Sequence, residues 1–422
     1  MSKRKQEKQE WKPTKKHLSN LKKQQRRQKI ILFSGIGIIC AAVVMVVLGM
    51  VFQWYIPKVK PLKETVLEVN GTSYKMNYFI DAVKYQTQGY TPQVIPYFID
   101  PVANNIINGE LTRQYAAELG YTISESEVDE YLEEREIMAN PAIRDYVHTY
   151  LLQKKLMEEY FMSQLPAETE LRTAYGMFLE SQSQVENVME RLENGEDFKD
   201  IASELSLDSN TKDASGDLGK HPAGIFAYEF GSDLLEEAIF SAETGIHSLF
   251  DEEKGKQVAY WIIEVIERGE DEEYPAANVR VMLLSSEEEA LSVRESLING
   301  EDFDELAEEY SLVWDEDSGS LYEEVIPGDV SEAFDGYVFG EDQPVNEISQ
   351  PIRDVEQSSK GGYWLYQVLS IETGAISEED ADSLVFLDLE DWIKTIRENE
   401  DNDINNYLDE EKKQFAIEKI TG

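Results

Sequence analysis

Histidines, a cysteine and a large excess of carboxylates are the groups in this chain with chemistry to offer. The four histidines, His17, His148, His221 and His247, stand far apart in sequence. The single cysteine, Cys40, lies inside an apolar stretch, so the rest of the chain has neither a disulfide nor a thiol nucleophile. One acidic run, Asp315-Glu316-Asp317-Ser318-Gly319 followed by Glu323-Glu324, has the composition of a calcium loop. Its glycine falls at the fifth place, where an EF-hand requires it at the sixth. No Walker loop, His-Glu-x-x-His or Gly-x-Ser-x-Gly occurs. Nucleotide-driven, zinc-protease and serine-hydrolase chemistry therefore have no residues to run on, and no metal or cofactor is expected.

The charge is strongly polarised along the chain. Its formal net charge is −45. Residues 1–29 nevertheless carry twelve Lys and Arg against Glu7 and Glu10, as a basic leader. Ile30 to Trp54 follows without a charged residue, and as a helix it spans roughly 37 Å, enough to cross a bilayer core. A cleaved signal peptide has a shorter apolar stretch with small residues at the cut. This one exits through Trp54-Tyr55 and then Pro57, Lys58 and Lys60, and Ile38-Ile39 ahead of Cys40 make a poor lipoprotein cleavage site. The reading is a transmembrane helix over 30–54, with the leader cytoplasmic and the rest extracytoplasmic by the positive-inside rule. The acidic exterior repels nucleic acid and attracts basic unfolded segments or divalent cations.

The elements that would position a site come as a repeat. Asn194-Gly195-Glu196-Asp197-Phe198, with Ala202, Glu204, Ser206 and Leu207, recurs 105 residues on as Asn299-Gly300-Glu301-Asp302-Phe303, with Ala307, Glu309, Ser311 and Leu312. Each copy closes on a second echo, Tyr260-Trp261-Ile262-Ile263 and Tyr363-Trp364-Leu365-Tyr366. Two anchors at nearly constant spacing mean tandem domains. Each unit reads strand, helix, helix, loop, short helix, strand, over 167–269 and 277–373, with the acidic run Glu270–Glu273 as linker. Residues 64–165 read as a helical domain entered through a hairpin at Asn70-Gly71. Its internal signals are a helix stop at Leu119-Gly120, a capping box at Ser124 and Glu127, and a helix opened by Pro141. Residues 376–422 read as an acidic helical tail with an apolar cluster at Trp392, Ile393 and Ile396. The fold class is α+β.

The phrase Leu-x-x-Gly-x-Asp-Phe-x-x-Ile/Leu-Ala-x-Glu-x-Ser, followed by Gly216-Asp217-Leu218-Gly219, resembles the parvulin-type (PpiC, rotamase) peptidyl-prolyl isomerase family. Val69-Asn70-Gly71, the Leu119–Ser124 phrase and the helix after Asn140-Pro141 resemble the N-terminal chaperone domain of SurA-type proteins. The leader and single apolar helix resemble membrane-bound PpiD-type proteins; PrsA-type foldases, which are lipid-anchored, are also similar. The resemblance implies small antiparallel sheets with helices, each wrapping a recess for a proline ring. It also implies a His in the first strand, a His in the last strand, and a Cys or Asp after the second helix. Those histidines are replaced by Met177 and Met282 in the first strands and by Trp261 and Trp364 in the last. The acidic position holds Asp208 in the first unit and Val313 in the second. The apolar wall implied by the family falls on Phe226, Leu235 and Phe240 in the first unit and on Phe334 and Phe339 in the second.

Asp208 is thus the one catalytic-type residue retained. Trp261 and Trp364 either offer clients a stacking surface or fill the space of the absent histidines. His221 and His247 receive no role. The implied function is a membrane-anchored extracytoplasmic chaperone or foldase with little isomerase activity. Its partners would be unfolded or nascent exported polypeptides, proline-containing ones included. Two alternatives stand beside it: an active prolyl isomerase working from the first unit, and a dedicated membrane adaptor.

Overall fold

The computed structural model describes residues 15–269, 275–340 and 343–421, so the leader up to residue 14 and the linker run at Glu270–Glu273 lie outside the described residues. The chain divides into two compact units, one of residues up to Tyr160 with those from Leu389 onward, the other of Phe161–Asp388.

The first unit begins with α1 (Lys15–Met50), continued by a wider helical stretch, Val51–Val59. Pro57 does not stop it, because the wider turn re-pairs the backbone, with Lys60 N donating to Tyr55 O at 2.8 Å. The segment long and apolar enough to cross a membrane is accordingly Ser34–Val59, a few residues later than sequence alone places it. β1 (Thr65–Val69) and β2 (Thr72–Lys75) form the hairpin, with Asn70 and Gly71 both at positive φ (48° and 83°), as a tight primed turn requires.

Helices α2 (Met76–Gln86), α3 (Ile99–Glu118), α4 (Glu125–Glu134) and α5 (Pro141–Lys155) follow. Their ends obey the sequence signals. Ser124 and Glu127 form the reciprocal capping box, and Asn140 accepts from Ile143 N at 2.9 Å with Pro141 opening α5. Val66, Leu67, Phe79, Val83, Val102, Ile107 and Leu111 make the core.

The second unit holds both repeats. The first contributes β3 (Thr169–Leu179), α6 (Gln182–Glu193), α7 (Phe198–Leu205), α8 (Ser209–Asp213), β4 (Asp217–His221), α9 (Ile225–Phe230), α10 (Asp233–Ser241), β5 (Gly245–Lys256) and β6 (Ala259–Arg268). The second contributes β7 (Ala277–Leu284), α11 (Glu287–Ile298), α12 (Phe303–Tyr310), β8 (Leu321–Val325), α13 (Glu332–Val338), β9 (Ile352–Asp354) and β10 (Ser359–Gly374). The repeated Asn-Gly-Glu-Asp-Phe phrase is a helix-to-helix joint. Its Asn closes one helix, its Gly turns left-handed, and its Asp caps the next, taking the N–H of Lys199 at 2.8 Å and of Asp304 at 2.9 Å.

The repeats do not close on themselves. The strand orders are β4-β3-β10-β5 and β8-β7-β6-β9. The closing strand of each repeat therefore lies in the sheet of the other: Trp364 sits opposite Phe178, and Trp261 opposite Leu283. The two links cross side by side. There Gln257 Nε2 donates to the carbonyls of Val355, Glu356 and Gln357, and Lys256 Nζ donates to Gly361 O. Sterics select the arrangement. A Cβ at Gly362 of β10 would meet Leu179 O at 2.5 Å and the Phe178 ring at 2.7 Å, whereas β6 carries Ala259 at the matching place.

α14 (Glu378–Glu398) then leads out of the second unit. β11 (Ile404–Asn406) pairs with β1, Val69 opposite Ile404, and α15 (Glu410–Thr421) packs on α2. Ile396, Leu408 and Ala416 join the first unit's core, with Trp392 packed against it.

Candidate functional site

Each sheet carries the same hydrogen-bonded trio beneath its short helix. In the first, Ser232 caps α10 by accepting from Leu235 N at 3.1 Å and donates its hydroxyl to Asp251 Oδ2. Trp364 Nε1 donates to the same oxygen at 3.3 Å. In the second, Ser331 caps α13 and donates to Asp354 Oδ2, and Trp261 Nε1 donates there at 2.8 Å. The other oxygen of each Asp takes backbone N–H groups from the residues just beyond it. The carboxylates are buried but satisfied, and they fix both indoles in place.

The rings pack into the core. Trp364 is 0 % and Trp261 1 % exposed. Phe178 lies 5.0 Å from Trp364, and Phe334 meets Trp261 edge-on at 5.3 Å. Phe226 and Leu235 complete the first cluster with Phe240 against it, and Phe339 packs on the second. Of the residues read as a proline wall, the structure thus gathers Phe226, Leu235, Phe240 and Trp364 in one sheet and Trp261, Phe334 and Phe339 in the other. Met177 and Met282 are not among them. They face the opposite side, Met177 with Val185, Val188 and Phe198, and Met282 with Ala290, Val293 and Phe303. Strand alternation is the reason: the residue one place on, Phe178 or Leu283, is the one beside the indole.

Asp208 is 8 % exposed, and both its oxygens have partners. Oδ1 caps α8 through Thr211 N at 2.9 Å, and Oδ2 pairs with Lys254 Nζ at 2.8 Å. Lys254 also donates to Phe230 O and lies 5.4 Å from the Trp364 ring centre, so Asp208 is tied to the indole through one lysine. Val313, its counterpart, packs on the second cluster. His221 contacts Asp380 of α14 at 2.7 Å through Nδ1, and His247 Nε2 donates to Glu243 O at 2.9 Å. Asp315 is used by its own loop, accepting from Asp317 N at 2.9 Å and Ser318 N at 3.0 Å.

Sequence reasoning missed Ser232, Asp251, Ser331 and Asp354. Their signal was present: the two aspartates have the same separation as the two tryptophans, and each is followed by Glu two residues on.

Lys256, at the crossing, was also missed. It is 5 % exposed, and burial pushes its pKa down to about 8, partly opposed by Glu180 and Glu289. Between pH 8 and 10.5 the unfolded chain binds this proton and the folded chain does not, so Lys256 makes stability rise with pH across that window. Denaturant melts of wild type and Lys256→Met at pH 7 and pH 10.5 should differ in their gap by about 3 kcal/mol at most. A gap that stays constant with pH would contradict the burial.

Residues 173–269 and, separately, 284–369 match the PPIC-type PPIase domain. Foldase protein PrsA of Caldanaerobacter subterraneus subsp. tengcongensis is 31% identical over 165 residues, 35% of this chain and 52% of that protein. PrsA of Oceanobacillus iheyensis is 27% identical over 167 residues, 33% of this chain and 54% of its own length. The chain thus spans about half the length of these relatives. The crystal structure of PrsA from Bacillus anthracis aligns with 75% of this chain and 94% of its own, at 10% identity and a TM-score of 0.28. The chain thus carries two parvulin-type PPIC domains and is similar to PrsA foldases.

Proposed function

We propose that the chain is a membrane-anchored extracytoplasmic foldase that holds unfolded, newly exported polypeptides and does so without prolyl isomerisation at its parvulin sheets. One observation carries the reading: a buried, hydrogen-bonded indole stands in both sheets where the family's closing-strand histidine belongs. A proline ring has no exposed indole face to stack on, and twisting an amide needs a recess shaped around it. The PrsA relatives support the foldase assignment, and the apolar segment Ser34–Val59 supports the anchor. The basic leader on one side of that segment and the acidic mass on the other support a single pass with the leader inside. Proline-containing clients are held as any unfolded segment is.

The test is NMR exchange on a Xaa-Pro peptide with the full chain in detergent, run beside suppression of aggregation of an unfolded protein. The expected result is no acceleration of exchange together with suppressed aggregation. Acceleration that disappears in Asp208→Ala would instead make the first repeat a working isomerase. Neither effect would leave the adaptor reading.

A further inference from the structure

The two sheets differ at one matched position on the side away from the indoles. In the second, Arg294 of α11 donates through Nε to Ser349 O at 2.7 Å and bridges the gap between helix and sheet edge. The 105-residue repeat puts Met189 of α6 in its place, and there a cleft of about 360 Å³ remains. Its floor is apolar: Val185, Met189, Ile246 and Leu365. One rim is acidic, with Glu186, Glu190 and Glu193 along α6. The other is the backbone of β5 at Ile246–Ser248.

β5 is the outermost strand of its sheet and is 12 residues long, so among the described residues no strand pairs with its outer side. The matching edge strand, β9, has only 3 residues. On β5, Ile246, Ser248 and Phe250 point to the same side, and Phe250, tilted against Tyr363 with ring centres 5.0 Å apart, is 52 % exposed.

We propose that this cleft binds an extended polypeptide segment that carries both apolar and basic residues, added to β5 as a fifth strand. The inference rests on the foldase reading and gives it a site. The free edge supplies main-chain hydrogen bonds at strand spacing, which is how sheets capture peptides regardless of sequence. The floor takes the apolar side chains, extending towards Phe250. The three glutamates stand on the same side of the sheet as that floor, so they select lysine or arginine among the side chains that face α6 and repel acidic ones. Residues 246–250 reach about 17 Å, so the site reads roughly five residues.

The test uses the full chain in detergent and a fluorescent ten-residue peptide of lysine and valine in successive pairs, so that each face carries both, with its glutamate-valine counterpart as control. By anisotropy the lysine peptide should bind at least about tenfold tighter than the control. Met189→Arg, which copies the closure of the second sheet, should weaken it by about tenfold or more. The exposed pair Glu186→Lys/Glu190→Lys should do the same without touching the core. Amide exchange at 246–250 should slow with peptide in the wild type only. Unchanged affinity in both variants overturns the proposal. So does a wild type that ignores the peptide yet still suppresses aggregation, and in that case the foldase reading survives. A wild type that neither binds nor suppresses aggregation removes both.

Discussion

Residues 258–356, produced alone, are expected to melt cooperatively as a folded domain, while residues 166–257 alone stay unfolded until a peptide of residues 357–375 is supplied. All four strands of the second sheet, β6 to β9, lie inside the first fragment. The first sheet has its closing strand outside the second fragment, and that strand is central, between β3 and β5. Without β10 the sheet loses the burial of Trp364, Leu365, Tyr366 and Val368. At about 1.5–3 kcal/mol for each large apolar side chain, the loss matches the whole stability of a typical domain, roughly 5–15 kcal/mol. Circular dichroism of the two fragments decides it. If 167–269 folds alone and 258–356 does not, each repeat keeps its own closing strand and the exchange is absent.

The second large effect is expected from Trp261→Ala. Removing a fully buried indole costs about 3–5 kcal/mol through lost burial and the cavity left behind. Asp354 then also loses one of its donors inside the core. Chemical denaturation should show the full loss, and the same change at Trp364 should cost a similar amount through Asp251. A loss below about 1 kcal/mol would mean that the indole is not core, and the closed-recess reading would fail with it.

Much of this was legible in the residues, for identifiable reasons. The Asn-Gly-Glu-Asp-Phe phrase specifies a left-handed stop and a helix cap in adjacent places, so its recurrence announced both repeats and their α6-α7 and α11-α12 joints. Ser124, Pro141 and the Asn70-Gly71 turn act locally and were read correctly. The pairing of the closing strands was not legible, because the repeat itself makes them look interchangeable. What separates them is Gly362 against Ala259, a single Cβ whose meaning depends on how close Leu179 O comes in space. Met177 and Met282, aligned with the first-strand histidines, lie buried on the side away from the indoles, and strand alternation decides that side. The Ser-Asp-Trp trios escaped because their three members come from different elements, and only the fold brings them within reach of one another.

β11 completes the sheet that β1 begins, although more than 300 residues separate them in sequence. β1 lies a few residues after the apolar helix and is made long before β11. A chain stalled or cut before residue 404 therefore presents β1 with one side unpaired and the core around Val66 and Leu67 short of Ile396, Leu408 and Ala416. Open strand edges and uncovered apolar cores are what degrading proteases and aggregating neighbours act on. The pairing thus makes the first unit's sheet a mark of completion, since only a chain made through residue 406 can close it.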